Sequence, residues 1–541
     1  MFNFFKKRKN KDYHLNKNRL KILIIFFTFL FIMIIVKLFY VSLFQTNYIE
    51  KKYTKKTEKQ LQEYHRASII DRNGKIIATD VGTVSLYFNR DLIKRAGDVA
   101  IQITNTIDDI NIESLFNKLS NKRSKAKYVL VKRNLTPKEQ LKVKKLGIAG
   151  TVFAKDKRRL YPHKNLFSHI IGYTDTDRNG LSGLENQYDK YLKTEGSEPL
   201  KTTLDLRIQG IVRQELIKGM LKFKAKAVIG VVANTKTGEI LSAVSLPDFN
   251  PNYLKNIETD RKFNRITYGV YEMGSIFKVF NTALGLEKKI ISLNTTYEVA
   301  DPINYGKFKI RDTHFKKRVM NVEEILVYSS NIGTAKIALD IGIENQINFL
   351  SNLGLLEKAK TDFPSLATPL FPKKWREINL MTIAYGHGIA VTPLHIVRAI
   401  SGIVNGGVIH NIKFTNQTED NAERIISNKT SKEIRRLMRK VVTNGTGWRS
   451  NTLGYLVGGK TGTAEKISQE GGYDENKIRT AFIASFPMND PQITVFVMLD
   501  DPNGSEINRE TTGGAMSAPI VSKIIENIAP VLGIEPSMEE L

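Results

Sequence analysis

Tyr271-Glu272-Met273-Gly274-Ser275-Ile276-Phe277-Lys278 is the stretch whose reading decides the fold of this 541-residue chain. Val279, Phe280, Ala283, Leu284 and Leu286 follow it, so the segment is apolar on most faces of a helix. A helix that is apolar nearly all round is buried. Ser275 therefore stands at the N-terminus of a core helix, where unsatisfied N–H groups and the helix dipole favour developing negative charge. Lys278 is one turn further on and on the same face. Burial disfavours its ammonium form, which leaves an amine able to accept a serine proton. The plain alternative is a serine N-cap followed by a snorkelling lysine, and this motif alone does not separate the two.

Strand patterns lie on both sides of this helix. Val228 to Val232 and Glu239 to Val244 are joined by the turn Asn234-Thr235-Lys236-Thr237-Gly238. Thr480 to Phe486 and Ile493 to Leu499 are joined by Pro487-Met488-Asn489-Asp490-Pro491, and Ala518 to Ile528 reads as a closing helix. Helical patterns dominate from Ser275 to Gly407. The expectation is an α/β sandwich, a central antiparallel sheet closed by both ends of the segment with helices between them. From Arg66 to Tyr191, short β-like runs (Ile69-Ile70, Val84 to Phe88) alternate with charged helical stretches (Lys138 to Lys145), which points to a mixed α+β domain.

Residues 1–21 carry eight Lys or Arg against one acid, Asp12. Ile22 to Phe44 come next, interrupted mainly by Thr28, Lys37 and Ser42. As a helix these span roughly 35 Å, enough to cross a bilayer. The positive-inside rule keeps the N-terminus cytoplasmic and exports the chain beyond about residue 45. No Ala or Gly occurs between Leu20 and Glu50, so no signal-peptide cleavage site is present and the helix reads as an uncleaved single-pass anchor. Residues 45–65 look like a polar stalk.

The absence of cysteine excludes disulfides, Cys-ligated zinc and a thiol nucleophile. The net charge of +28 raises nucleic-acid binding as a function class. Export argues against it, because a basic exported domain meets anionic lipid and wall polymer first, and a lysine-rich solvated surface explains the charge. No nucleic-acid partner is expected.

Three short motifs each occur twice. Ser124-Lys125-Ala126-Lys127 lies in a Lys/Arg cluster, whereas Ser275 to Lys278 opens the core helix. Ser-x-Asn occurs as Ser292-Leu293-Asn294 and as Ser329-Ser330-Asn331, and the second precedes a helix start from Ile332 to Ala338. Lys236-Thr237-Gly238 sits in the hairpin turn, whereas Lys460-Thr461-Gly462 follows Gly458-Gly459 and precedes Thr463-Ala464. A glycine-bounded strand lets a substrate backbone approach and add as a further strand. Lys460 supplies a charge for a carboxylate and, if close to Lys278, depresses its pKa further. The ordered set Ser-x-x-Lys, Ser-x-Asn, Lys-Thr-Gly is the signature shared by class A β-lactamases and penicillin-binding proteins.

On these residues the chain resembles the class B penicillin-binding proteins over nearly its whole exported length. Arg66-Ala67-Ser68-Ile69-Ile70-Asp71-Arg72-Asn73-Gly74 resembles the box that opens the family's non-catalytic pedestal, with Ala67 where glycine is usual. Arg159-Leu160-Tyr161-Pro162, His169 to Tyr173 and Gly183-Leu184-Glu185 resemble the next pedestal boxes. Thr203-Leu204-Asp205, Pro247 to Asn252, and Tyr385-Gly386-His387-Gly388 with Val391-Thr392-Pro393 resemble segments of the catalytic domain. The stretch around Gly269 to Ser275 is most similar to the division-specific septal branch, of the form found in alphaproteobacteria, although Met273 replaces the commoner proline.

The resemblance implies a serine β-lactamase/transpeptidase-like fold over 201–535, a stalk and pedestal over 45–200, an anchor over 22–44 and a cytoplasmic tail over 1–21. It implies that Ser275 is acylated by the penultimate D-alanine of a peptidoglycan stem peptide, and by β-lactams. Lys278 would be the base, Ser329 and Asn331 would move the leaving-group proton and position the peptide, and the Ser275 and Thr463 N–H groups would hold the oxyanion. Lys460, Thr461, Gly462 and Thr463 would bind the donor's carboxylate end. Neither metal nor organic cofactor is required. A lipid-linked glycosyltransferase of the division complex is the implied partner, because no glycosyltransferase module lies between anchor and pedestal. The implied location is the inner membrane at the septum, with the catalytic domain periplasmic.

The alternatives are an elongation-specific enzyme of the same class, a D,D-carboxypeptidase or β-lactamase, and a catalytically silent division scaffold. Glu344-Asn345-Gln346-Ile347-Asn348 matches a lactamase's E-x-x-x-N string, but it falls 15 positions after Ser329 in an amphipathic helix and reads as coincidence.

Overall fold

The computed structural model describes residues 17–40 and 66–537, apart from 122–125, 307, 313–317, 365, 418–420, 468–471 and 504–509. Most of the basic tail, residues 41–44 of the expected span, the stalk, and Ser124 and Lys125 of the first Ser-x-x-Lys motif lie outside the described residues. In the N-terminal unit the described element is one helix, α1 (Lys17–Tyr40). Its segment Lys21–Tyr40 is long and apolar enough to cross a membrane, with Lys37 in the last turn.

The second unit begins at Arg66. Its first part holds β1 (Ile69–Ile70), β2 (Ile76–Asn89), α2 (Ala96–Thr106), α3 (Ile112–Ser120), β3 (Tyr128–Leu135), α4 (Pro137–Lys145), β4 (Thr151–Leu160) and β5 (Leu200–Lys201). The long strand β2 pairs antiparallel with β1, β3 and β4, and β5 joins parallel to β1. The start of α4 is written in its sequence. Pro137 occupies the first turn, and Thr136 and Glu139 satisfy each other's backbone N–H groups in a capping box. Leu86, Phe88, Ile103, Leu115, Leu119, Val129 and Val143 form the core between sheet and helices. This is the expected mixed pedestal.

The pedestal boxes meet at a buried carboxylate. Glu185 Oε1 accepts from Arg159 Nε at 2.7 Å, and Oε2 accepts from Arg66 Nε at 2.7 Å. Arg66 also donates to Asp189 at 2.7 Å, and Arg159 to Asp80 at 3.3 Å. Burial pulls the Arg66 pKa down, but Glu185 and Asp189 outweigh it and the net direction is upward. The first box is also tied to the next part of the chain: Asn73 Nδ2 donates to Asp205 at 3.0 Å, and Asp71 accepts the Leu206 N–H at 3.1 Å.

Beyond that junction come α5 (Leu206–Lys222), β6 (Ala227–Asn234), β7 (Ile240–Leu246), α6 (Phe277–Glu287), α7 (Val322–Val327), α8 (Asn331–Ile341) and α9 (Ile343–Asn352). Then come α10 (Glu377–Ala384), α11 (Pro393–Val404), α12 (Asn428–Asn444), β8 (Gly458–Ile467), β9 (Tyr473–Phe486), β10 (Ile493–Asp500) and α13 (Gly513–Ile528). The central sheet runs β8-β9-β10-β6-β7, antiparallel throughout. Both faces of the inner strands are covered, and the strand period of two divides their residues between two cores. Val228, Val232, Val495 and Val497 pack with Ile208, Leu216, Val521 and Ile524 of α5 and α13. Ile229, Val231, Phe496 and Met498 face the other core, which holds Phe277, Phe280, Ile337 and Ile400.

The expected strands, hairpin turn and closing helix are all present, with strand bounds moved by up to seven residues. The expected helical run from Ser275 to Gly407 is interrupted. Residues 296–298 pair with 319–321, and 303–305 pair with 308–310. Among the described residues these three-residue strands pair with each other, and three residues are too short a run for an alternating pattern to show.

Candidate active site

A short 3-10 turn over Gly274–Ile276 carries Ser275 into α6. From Phe277 to Gly285 every residue of that helix is buried, as the all-round apolar pattern requires. Gly274 has φ +52°, and a Cβ there would lie 2.3 Å from the Thr463 carbonyl oxygen. A Cβ on Gly462 would lie 2.5 Å from the Met273 oxygen. The two glycines therefore let the Ser275 turn and strand β8 meet backbone to backbone. Ser275 and Thr463 end up side by side although 188 positions separate them.

The Ser329-Ser330-Asn331 turn links α7 to α8. Ser329 adopts φ +62°, a left-handed conformation that suits glycine better than serine. Its N–H donates to Leu326 O at 3.3 Å, and the Ser330 N–H donates to Ile325 O at 2.9 Å, the paired bonds that close a helix C-terminus. Ser330 then caps α8, with its Oγ accepting the Gly333 N–H at 2.9 Å. Capping thus accounts for the second serine and not the first. Ser329 ends one helix in a strained conformation with its carbonyl and hydroxyl both turned to Lys278.

Lys278 Nζ donates to Ser329 O at 2.5 Å and to Asn331 Oδ1 at 2.7 Å, and lies 3.1 Å from Ser329 Oγ. Lys460 Nζ donates to the same Ser329 Oγ at 3.0 Å and to Thr461 Oγ1 at 3.2 Å. Both lysines are fully buried. Among the described residues neither forms an ion pair. Burial, and then the neighbouring Lys460, hold the Lys278 pKa far below that of an ordinary lysine, with Asp312 opposing. Burial pulls Lys460 down to about 7. A neutral Lys278 has two N–H donors and one lone pair. Its donors are used on Ser329 O and Asn331, so the Ser329 hydroxyl can donate to the lone pair while accepting from Lys460.

Of the anticipated site residues, Lys278, Ser329, Asn331, Lys460 and Thr461 join this network directly; Gly462 lies at the backbone approach to the Ser275 turn, and Thr463 is exposed and accepts the Gly513 N–H at 3.2 Å. Among the described residues the hydrogen bonds of Lys278 run to Ser329 and Asn331, and none joins it to Ser275. Thr461 Oγ1 lies 3.0 Å from Thr446 Oγ1. The duplicate motifs fall elsewhere. Lys236 pairs with Asp490 in an exposed turn, and Ser292 and Thr295 share a hydrogen bond in another. Glu344 and Asn348 are exposed on α9.

Sequence reasoning missed a buried carboxyl three residues before Ser275. Glu272 Oε1 accepts the Gly388 N–H at 2.9 Å and the Tyr473 O–H at 3.1 Å. Burial raises its pKa. The His387 ring stands between Tyr385 and Tyr473, with centroids 5.3 and 5.5 Å away. Burial, and then Lys278, bring His387 down to about 4. Only the adjacency of Glu272 to Gly274-Ser275 could have singled it out.

Comparison with known proteins agrees with this geometry. The penicillin binding protein transpeptidase domain family matches residues 228–526, and the penicillin-binding protein dimerisation domain family matches residues 62–203. A probable peptidoglycan D,D-transpeptidase FtsI of Caulobacter vibrioides is 32% identical over 88% of this chain and 82% of its own length. A probable peptidoglycan D,D-transpeptidase PenA of Neisseria gonorrhoeae is 31% identical over 87% and 85%. The peptidoglycan D,D-transpeptidase FtsI of Escherichia coli is 25% identical over 87% and 84%. A crystal structure assigned to a peptidoglycan glycosyltransferase of Atopobium parvulum superposes with a TM-score of 0.68 at 23% identity, over 87% of this chain and 98% of that one, a likeness of fold. With both domain families in the same order and the three motifs converging on Ser329, the chain belongs to the penicillin-binding protein family with a transpeptidase domain.

Proposed function

We propose that this chain is a peptidoglycan D,D-transpeptidase that cross-links stem peptides in septal wall synthesis, through an acyl-enzyme on Ser275. The observation that carries the reading is the meeting of two buried, unpaired lysines at one serine hydroxyl beside the start of α6. Such an arrangement costs stability and makes a base available at neutral pH.

Ser275 Oγ attacks the carbonyl carbon of the penultimate D-alanine, and its proton passes to the neutral amine of Lys278. The Ser275 and Thr463 N–H groups stabilise the oxyanion, the kind of preorganised donor pair whose members are worth on the order of 10²-fold or more each. As the C–N bond breaks, the leaving nitrogen takes a proton through Ser329, which Lys278 resupplies, and terminal D-alanine departs. Asn331 positions the peptide, while Lys460, Thr461, Gly462 and Thr463 receive the donor's carboxylate end and backbone. An amine of a second stem peptide then attacks the ester, forming the cross-link and restoring the Ser275 hydroxyl. β-Lactams acylate Ser275 by the same first step.

Residues 45–200 serve as stalk and pedestal and 201–535 as the catalytic domain. α1 anchors the chain in the inner membrane with its N-terminus cytoplasmic and the catalytic domain periplasmic; the flanking lysines and arginines support this orientation. A lipid-linked glycosyltransferase of the division complex supplies the glycan strands. The septal assignment rests on similarity to the two FtsI enzymes.

The test is incubation of the purified full chain with a D-Ala-D-Ala stem peptide and an acceptor amine. D-Alanine release with stoichiometric amide product is expected. Release into free acid alone makes the chain a carboxypeptidase, and no release from a folded chain makes it a scaffold. A tagged copy should gather at the septum; an even lateral distribution would assign it to elongation.

A further inference from the structure

Strand β8 is an edge strand of the central sheet, and its two ends carry opposite charges. Lys460 and Thr461 lie at the buried end. Glu465 lies half-buried towards the other end, as the last residue before the ladder to β9 slips: Glu465 pairs with Ile478, whereas Lys466 pairs with Asp474. The strand period of two puts Glu465 on the side of β8 that also carries Thr461 and Thr463. It stands two residues beyond Thr463, roughly 7 Å along the strand.

Glu465 forms no hydrogen bond or ion pair among the described residues. The cations near it are engaged elsewhere. Lys466 Nζ and Arg479 Nε each lie 3.0 Å from Asp500 Oδ1, and the Arg479 guanidinium covers the Tyr271 ring at 4.9 Å. The charge of Glu465 reaches towards Ser275, because after burial it adds to the upward shift of the Glu272 pKa. A half-buried carboxylate without a partner, on the strand that lines the site, is open to a cationic ligand.

The seat of the donor says what that cation is. With its terminal carboxylate at Lys460 and Thr461 and its penultimate carbonyl at the Thr463 N–H, the donor runs antiparallel to β8. The residues before the penultimate D-alanine then lie against Ala464 and Glu465. Cross-linking needs an amine on the acceptor stem. The donor is a stem of the same polymer, so it brings such an amine of its own ahead of its two D-alanines. At neutral pH that amine is an ammonium. We propose that Glu465 is a specificity-determining residue whose carboxylate receives the side-chain ammonium of the donor stem peptide. The site then selects donors that are anionic at the C-terminus and cationic before the two D-alanines. The inference rests on the reading of Ser275 as the nucleophile and of Lys460 to Thr463 as the donor's seat.

Penicillins supply the test, because their acylamino side chain takes the place of the residues before the penultimate D-alanine. Ampicillin carries an ammonium on that side chain, carbenicillin a carboxylate, and benzylpenicillin neither. The experiment measures second-order acylation rates for the three compounds on the full chain in detergent, for wild type, Glu465→Gln and Glu465→Lys. Each rate is expressed relative to benzylpenicillin on the same protein, which removes any general effect of the substitution. The ampicillin-to-carbenicillin ratio should fall by roughly three- to ten-fold in Glu465→Gln and further in Glu465→Lys, and the wild-type ratio should shrink with added salt. Equal ratios in the three proteins overturn the proposal and leave acylation of Ser275 standing. A folded wild-type chain that takes none of the three compounds overturns the reading of Ser275, and the proposal with it. A donor peptide gives a second arm. Acetylating its side-chain amine should raise KM for D-alanine release by roughly three- to ten-fold in wild type and by less than about two-fold in Glu465→Gln. An equal effect in both proteins also overturns the proposal.

Discussion

At Glu185 two guanidiniums close on one carboxylate; at Ser329 two lysine side chains close on one hydroxyl. Both clusters are buried, and both join residues far apart in sequence. The pedestal cluster is balanced. Glu185 is held by Arg66 and Arg159, which reach on to Asp189 and Asp80. The Ser329 cluster contains two lysines and, among the described residues, no acid in contact with them. Burying like charges without partners is costly, so the groups give up protons instead. Balanced burial stores stability and structural register; unbalanced burial stores reactivity. The fold supports the second with a tight glycine-mediated contact between α6 and β8 and a strained Ser329.

The sharpest way to break the comparison is Lys278→Met. Acylation by penicillin should fall by roughly 10³-fold or more, because the base is lost. Thermal stability should hold or rise, since a buried amine is replaced by an apolar chain of similar length. A clear loss of stability would show that Lys278 is structural. Glu185→Gln should do the reverse. Removing one partner of a buried charge cluster costs about 3–5 kcal/mol, measured as a lowered unfolding midpoint. Acylation per folded molecule should stay within about two-fold, and a ten-fold loss would mean that the pedestal tunes the site.

Titration separates the clusters in a different way. Lys460 has a folded-state pKa of about 7 against an ordinary 10.5. Below about 7 both states hold its proton, and the fold bears the full cost of a buried ammonium. Between the two values the unfolded chain holds more protons, so this position makes stability rise with pH by on the order of 1 kcal/mol per unit. Lys278 acts in the same direction. Denaturant unfolding from pH 7 to 9.5 should show a shallower rise for Lys460→Met than for wild type; equal slopes would mean Lys460 stays charged. The smallest effect should come from Ser330→Ala, which loses the N-cap of α8 at a cost of about 1 kcal/mol. Its counterpart Ser329→Ala should leave stability nearly unchanged and slow acylation.

Legibility in the sequence divides along the same line. Continuous apolar runs, the turn around Lys236 and the all-round apolar helix after Ser275 each give a local physical signal, so the central sheet and α6 could be read directly. The copy of each doubled motif that enters the Ser329 cluster could also be chosen, because its neighbours were apolar or glycine-rich. Contacts that depend on long excursions could not be read. Asp312 reaches α8 from a loop that comes after three-residue strands, and Tyr473 reaches Glu272 across 201 positions. The balanced cluster was visible only as boxes, since nothing in Arg66, Arg159 or Glu185 announces that they meet. Lys278 was expected to accept the Ser275 proton. Its hydrogen bonds instead run to Ser329 and Asn331, because the left-handed turn at Ser329 presents two oxygens at once.

The central claim is that the unbalanced cluster activates Ser275. It is tested most directly by mass spectrometry of the full chain after penicillin treatment at neutral pH, followed by peptide mapping. A single long-lived adduct on Ser275, absent in Ser275→Ala and strongly slowed in Lys278→Met, is the expected result. An adduct on another residue, rapid turnover of the Ser275 adduct, or undiminished labelling of Lys278→Met would contradict it.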